Sequence, residues 1–343
     1  MDDTPTTPTT TLTSQPFLPP SISLPSLLSG QSYTYYSTPP PSSLLPDVPI
    51  SLGVDEAGRG PVLGPMVYGI FYLPSSLSTP LLKETHRFDD SKILTPAFRL
   101  SLLKTLCDST SELSRSSGWA ISSLSARDIS ANMNSGYNLN AQAMDATVAL
   151  IKHVYGMGVN VKEIYVDTIG QPATYQAKLE KIFPTAKITV AKKADSLYPV
   201  VSAASVCAKV TRDIALETLW KHRSGRQDGA EGAMGKEDEQ EAEEEEVMEW
   251  GSGYPSDSKC VNWLKGNMHP LFGWGLAETR FSWGTAKDLL EGKNGMKVDW
   301  PADNEEEGTH QITSFFSASR GADEGEVDEL GQWFGSPVGM EAF

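Results

Sequence analysis

The part of this chain that most limits how it can fold is residues 48–73. An apolar run, Val48-Pro49-Ile50-Ser51-Leu52-Gly53-Val54, stops at two adjacent acids, Asp55 and Glu56. A turn segment follows, Ala57-Gly58-Arg59-Gly60-Pro61, and then a second apolar run, Met66-Val67-Tyr68-Gly69-Ile70-Phe71-Tyr72-Leu73. Such runs on either side of glycine and proline predict two neighbouring strands. Both acids then lie at a strand end, beside a turn whose glycines let the backbone approach a ligand closely.

Downstream, residues 100–113 read as helix, 119–124 as a third strand, and 138–156 as a helix with apolar positions at Leu139, Ala143, Ala146, Leu150, Val154 and Tyr155. A strand at 161–166 ends at Asp167. Helix 174–183, strand 186–190 and a long helix from about 199 to 222 follow, the last with Ser202, Ala203, Ala204, Ser205 and Ala208 for close packing. Strands first, then alternating helix and strand, predict an α/β fold whose sheet is antiparallel early and parallel late.

The net charge of −16 is unevenly placed. Residues 228–249 hold 11 acids and one base, and residues 298–343 again hold 11 acids and one base. Setting these and the first 48 residues aside leaves 26 bases and 19 acids in 49–227 and 250–297. The folding part is therefore basic, which suits a polyanionic ligand and equally an ordinary solvated surface. Residues 1–47 are rich in Ser, Thr and Pro, have no Lys or Arg, and read as a disordered extension. The expected divisions are thus this extension, a catalytic domain at 48–223, a disordered acidic insertion at 224–249, a small helical cap at 250–297 and a disordered acidic tail at 298–343. The start lacks a basic, then apolar, signal pattern. No stretch nears the roughly 18 apolar residues of a membrane span. Cys107, Cys207 and Cys260 are odd in number and lack CxxC spacing, which predicts a reducing compartment without disulfides or zinc.

Adjacent carboxylates repel unless a cation lies between them or one holds a proton. Oxygen ligands at a strand end suit a hard cation such as Mg²⁺, although a surface acid pair without a role is the common alternative. Asp167 also ends a strand, and Asp195 follows Lys192-Lys193-Ala194 where the chain leaves another. Four acids converging from neighbouring strand ends need divalent metal, and two ions held so can activate water and stabilise a leaving oxygen. Asp213 competes for the fourth place, but a helical ion pair with Lys209, four residues before it, accounts for it. The Gly58-Arg59-Gly60 N–H groups can bind a sugar hydroxyl or phosphate, or form a plain tight turn. In Gly251-Ser252-Gly253-Tyr254-Pro255, Tyr254 is free to stack on a sugar or base, or simply to pack on the body.

Taken together, these residues resemble the type 2 ribonucleases H. The likeness rests on Asp55-Glu56-Ala57-Gly58-Arg59-Gly60-Pro61, Asp90-Ser91-Lys92, Tyr137-Asn138-Leu139-Asn140, Val166-Asp167-Thr168 and Lys193-Ala194-Asp195. It continues through Tyr198-Pro199-Val200-Val201-Ser202-Ala203-Ala204-Ser205, Gly253-Tyr254-Pro255 and Arg280-Phe281-Ser282-Trp283, in family order over roughly 48–290. The resemblance implies the ribonuclease H fold, a five-stranded mixed sheet flanked by helices. It implies that Asp55, Glu56, Asp167 and Asp195 hold two Mg²⁺ or Mn²⁺ ions. Gly58, Arg59 and Gly60 would read a 2′-hydroxyl, Tyr254 would stack on the next deoxyribose, and Lys92, Asn138 and Thr174 would hold phosphates. The implied substrates are RNA–DNA hybrids and duplex DNA with single ribonucleotides, cut 5′ of the ribonucleotide. Eukaryotic members work with ribonuclease H2 subunits B and C, and the substrate places them in the nucleus.

Residues Thr309-His310-Gln311-Ile312-Thr313-Ser314-Phe315-Phe316 resemble the peptide by which replication proteins bind the sliding clamp, with Thr309 in place of the usual leading Gln. Two other classes compete with the nuclease: a catalytically inactive hybrid-binding module, which the presence of all four acids opposes, and an integrase-like nuclease, which the Gly58-Arg59-Gly60 turn with Tyr254 opposes.

Overall fold

The computed structural model describes residues 17–89, 93–168, 170–231 (side chains through 225), 248–292 and 295. An N-terminal arm carries α1 (Leu24–Leu28) and β1 (Tyr33–Tyr36). The hairpin expected from the apolar runs follows as β2 (Ile50–Ala57) and β3 (Met66–Pro74). Then come α2 (Pro96–Cys107), α3 (Glu112–Ser116), β4 (Gly118–Leu124), α4 (Ala126–Asn134), α5 (Leu139–Gly156) and β5 (Val161–Asp167). The chain continues through α6 (Pro172–Ile182), β6 (Lys187–Ala191), α7 (Ala194–Leu197), α8 (Pro199–Glu231), α9 (Ser258–Gly266) and α10 (Gly284–Leu290).

The six strands form one sheet in the order β1-β4-β3-β2-β5-β6. The first four pair antiparallel, and β2, β5 and β6 run parallel. The C-terminal ends of β2, β5 and β6 therefore share one sheet edge, where open α/β sheets place their ligands. On one face, Leu52, Val54, Ile70 and Tyr72 pack with Leu150, Ile151 and Val154 of α5. On the other, Val67, Phe71 and Leu73 pack with Val200, Val201, Ala204 and Cys207 of α8 and with α2.

Helix α8 lies so close to the sheet because two strand positions have no side chain. A Cβ at Gly53 would overlap the Val200 carbonyl, and one at Gly69 would stand 2.6 Å from the Ala204 oxygen. The buried Ser202, Ala203, Ala204, Ser205 and Ala208 supply the matching small surface on α8.

The arm corrects two expectations. Residues 17–47 belong to the body, and the sheet has six strands, not five. β1 pairs with β4 from Tyr33↔Ser123 to Tyr36↔Ala120. Ser32 donates both its N–H (2.9 Å) and its Oγ–H (2.6 Å) to Asp128 Oδ2. Ser21 and Thr211 exchange a fully buried hydroxyl bond of 2.8 Å. These tertiary contacts order a segment whose composition alone predicts disorder, since they offset the entropy of fixing it. Helix α8 likewise runs on to Glu231, into the start of the acidic insertion. Among the described residues, no helix is long and apolar enough to cross a membrane.

The cap is a third cluster. Trp220 and Trp263 both meet Trp250 edge-on, at 5.7 and 5.2 Å between ring centroids. Leu63, Leu216, Trp274 and Ala286 complete it. The cap thereby packs on α8 and on the loop that follows the Gly58–Gly60 turn.

Candidate active site

Strand β2 delivers Asp55 and Glu56 to the sheet edge but to different sides, because successive strand residues alternate in direction. Asp55 shares the α8 face with Gly53 and is 4% exposed. Lys209 Nζ of α8 stands 3.6 Å from its Oδ2, and the same ammonium donates to Ser205 Oγ at 2.5 Å. The sequence paired Lys209 with Asp213. In the fold Lys209 turns inward to Asp55, and the exposed Asp213 pairs instead with the buried Arg212 at 3.2 Å.

Glu56 faces the α5 side, where it lines a groove of about 680 Å³ with Arg59, Asn138, Asp167, Thr174 and Lys178. Asp167 ends β5, one strand over, and accepts the Ala194 N–H at 2.7 Å. That bond ties β5 to α7, which begins at the left-handed Lys193 (φ 56°) and carries the buried Asp195 in its first turn.

Burial is the largest cause of shift for three of these acids. It pushes Asp55 up to about 6, with Asp167 adding to the rise and Lys209 opposing it. Glu56 is pushed up to about 8, by burial and then by the Asp55 charge, against Arg59. Asp167 is raised by burial and by Asp195, against the Ala194 hydrogen bond. Among the described residues, no three acidic, histidine or cysteine side chains close on one point. The four carboxylates are instead strung along the sheet edge, split by the β2 alternation yet within electrostatic reach of their neighbours. Chemically the set fits hard divalent cations: all its donors are oxygen, and ionising them together without a cation is unfavourable.

The remaining expected residues divide into two groups. Asn138 and Thr174 stand in the groove with Glu56. Asn138 caps α5 by accepting the Ala141 N–H at 3.0 Å, and Thr174 lies in the first turn of α6. Lys92 lies outside the described residues, as does the Thr309–Phe316 peptide. The second group is the turn. Gly58 has φ +74°, and the Tyr254 ring is stacked against Gly60 so closely that a Cβ there would stand 3.1 Å from Cε1. The Gly253 carbonyl accepts the N–H groups of Val62 (2.9 Å) and Leu63 (3.2 Å). The two glycine turns, almost 200 residues apart, are thus one unit.

Sequence reasoning passed over several residues here. Tyr68 lies under the groove, accepts from Arg59 Nη1 at 3.4 Å, and is held well above its ordinary value by burial and by Glu56. Arg59 also donates to Asn140 Oδ1. Lys178 is four residues past Thr174 on α6, a helical spacing that was legible. Arg280 and Trp283 stand out in the sequence only as part of a family motif, and nothing local ties them or Lys209 to partners so distant in the chain.

The chain matches the family model described as Ribonuclease HII over residues 52–244. It is 62% identical to the A subunit of ribonuclease H2 from Neurospora crassa over 333 residues, covering 96% of this chain and 97% of that one. It is 43% identical to the human protein of the same name, covering 78% and 82%. Among solved structures, the ribonuclease H2 of Pyrococcus horikoshii OT3 superposes with a TM-score of 0.53 at 28% identity, covering 71% of this chain and 97% of that one. The six-stranded mixed sheet is accordingly the ribonuclease H fold, and this chain belongs to the ribonuclease HII family as a ribonuclease H endonuclease.

Proposed function

We propose that this chain cuts the RNA strand of RNA–DNA hybrids and nicks duplex DNA on the 5′ side of single embedded ribonucleotides. The observation that carries this reading is the unit formed by Gly58-Arg59-Gly60 and Tyr254, which continues directly from the Asp55-Glu56 strand end. An enzyme that tells RNA from DNA must read the 2′-hydroxyl, and here a backbone turn able to do so adjoins the acids that would perform the hydrolysis.

In this reading Asp55, Glu56, Asp167 and Asp195 hold two divalent ions, Mg²⁺ or Mn²⁺. When bound, such ions lower the pKa of water and stabilise charge on the phosphate oxygens. The chain's own residues do the rest. Asn138, Thr174 and Lys92 bind backbone phosphates, which fixes register without reading sequence. Arg59, held by Tyr68 and Asn140, keeps a positive charge on the groove wall near Glu56. Tyr254 stacks on the deoxyribose after the ribonucleotide. A water oxygen then forms a bond to phosphorus as the bond to the upstream O3′ breaks, leaving a 3′-hydroxyl and a 5′-phosphate.

We further propose that the chain is the catalytic member of a heterotrimer with subunits B and C, in the nucleus. Its relatives are named as the A subunit of ribonuclease H2, which supports a multi-chain assembly. We propose that residues 309–316 engage the sliding clamp through Ile312, Phe315 and Phe316. The deciding test is nicking of a duplex with one ribonucleotide, by the chain co-expressed with both partners. Asp55→Asn and Asp167→Asn are expected to abolish nicking while the protein still folds with a cooperative melting transition. Parental rates in both variants would remove the metal-site assignment, and equal cutting of an all-DNA duplex would remove the ribonucleotide reading.

A further inference from the structure

Arg280 is 0% exposed, yet among the described residues no carboxylate pairs with it. Its guanidinium donates instead to three backbone carbonyls: Nη2 to Gly58 O at 2.5 Å, Nη1 to Arg59 O at 3.0 Å and Nε to Gly64 O at 3.0 Å. Trp283 takes the next carbonyl, its Nε1 donating to Gly60 O at 3.0 Å. The Trp283 ring also lies 4.7 Å from the Arg280 guanidinium carbon, a cation–π contact that fixes the fork. All three carbonyls of Gly58-Arg59-Gly60 are thus held by two side chains from the cap, more than 200 residues away in sequence.

Peptide geometry converts this into a statement about donors. In a planar trans peptide, the carbonyl of one residue and the N–H of the next point in opposite directions. Holding the Gly58 carbonyl toward Arg280 therefore turns the Arg59 N–H away from it. Holding the Arg59 carbonyl does the same for the Gly60 N–H. Pro61, which follows the third carbonyl, has no N–H. Among the described residues, no acceptor takes the N–H of Arg59 or Gly60. A second guanidinium braces the unit from α8: Arg212 Nη2 donates to Ser252 O at 2.7 Å, next to Gly253 and Tyr254. Gly58 and Gly253 both have positive φ and lie against the Arg212 side chain, where a Cβ would come within 3.1 and 3.2 Å of it.

We propose that Arg280 and Trp283 are positioning residues for ribonucleotide discrimination: they set the Gly58–Gly60 peptide planes so that two backbone N–H groups face a 2′-hydroxyl. The inference rests on the reading that this turn meets the ribonucleotide. Freed of these two side chains, the peptides can rotate, and the two N–H groups lose the fixed direction from which they donate to a 2′-hydroxyl; a deoxyribose, which has no such acceptor, loses nothing. The Arg280–Trp283 pair therefore governs selectivity, whereas general duplex affinity comes from phosphate contacts elsewhere.

The test is the affinity of the full-length chain for a labelled duplex with one ribonucleotide and for the same all-DNA duplex. Both are read by fluorescence anisotropy with Ca²⁺ in place of Mg²⁺. Trp283→Phe keeps the ring over Arg280 and removes only the donor to Gly60. It is expected to lower the ribonucleotide-to-DNA affinity ratio about fivefold, the effect of one net hydrogen bond, with all-DNA affinity within about twofold of the parent. Arg280→Lys keeps the charge but loses the fork, and is expected to lower the ratio about tenfold or more. If Arg280→Lys fails to fold, Trp283→Phe carries the test. A folded Trp283→Phe with the parental ratio overturns the proposal, as does an equal loss of affinity for both duplexes, which marks a merely structural role. A parent that binds both duplexes equally overturns the underlying reading of the turn, and the positioning proposal with it.

Discussion

In the metal-free protein, Glu56→Gln is expected to be stabilising at pH 8 and neutral at low pH. Glu56 titrates at about 8 in the folded chain against an ordinary value of 4.5, first because of burial and then because of Asp55. An acid whose folded value is raised leaves stability intact below its unfolded value and loses it as pH rises through the folded one. Between about pH 4.5 and 8 the folded chain keeps a proton that the unfolded chain has released. At 1.36 kcal/mol per unit, the full shift from 4.5 to about 8 sets a ceiling of roughly 5 kcal/mol. Glu56 keeps partial access to solvent, and salt screens its repulsion by Asp55, so the expected gain is about 1–3 kcal/mol. Glutamine matches the volume and removes the titration.

The measurement is the urea midpoint of parent and variant in EDTA, at pH 8 and again at pH 4. A gain at pH 8 that vanishes at pH 4 is the expected pattern. Adding Mg²⁺ at pH 8 should close or reverse the gap, because a ligand that binds the folded parent more tightly stabilises it more. A variant no more stable than the parent at pH 8 in EDTA would refute the reasoning, since it would mean that the Glu56 charge is already compensated in the folded chain.

Gly53→Ala places a methyl into the Val200 carbonyl, so α8 must lift off β2. A loss of about 3 kcal/mol or more is expected by thermal melting, with Asp55 losing its Lys209 contact as well. Tyr254→Phe keeps the ring over Gly60 and should nick a single-ribonucleotide duplex at near the parental rate. Tyr254→Ala should lower kcat/KM on it about tenfold, the loss expected when the apolar face of one aromatic ring no longer covers the sugar, roughly 1.5 kcal/mol. A labelled peptide of residues 305–320 should bind purified sliding clamp, and Phe315→Ala with Phe316→Ala should abolish the anisotropy change. No binding at high micromolar clamp would remove that proposal.

What was legible in the sequence is what repeats at short range. The β2 and β3 strands and the acids ending β2 and β5 were visible because apolar runs stop at charged residues within a few positions. The α8 helix was visible through its small residues, Ser202 to Ala208, and these explain in turn why the helix can reach Gly53 and Gly69. The arm was not legible. Tyr33-Thr34-Tyr35-Tyr36 is four residues in a Ser/Pro-rich context, and its order comes from β4, Asp128 and Thr211, all about 90 or more residues away. Lys209 was misassigned for a related reason. A helix offers each residue a partner four positions on, but tertiary packing turned this one toward the sheet. The same logic explains the turn. Gly58-Arg59-Gly60 was recognisable as a local motif, but a glycine turn by itself leaves the direction of its donors undetermined. Glycine's freedom lets the backbone come close, and that freedom also lets it rotate away. Discrimination by a backbone therefore needs a second, rigid source of orientation. In this fold that source is a buried arginine whose hydrogen bonds go to carbonyls, in a cap that packs far from the turn in sequence.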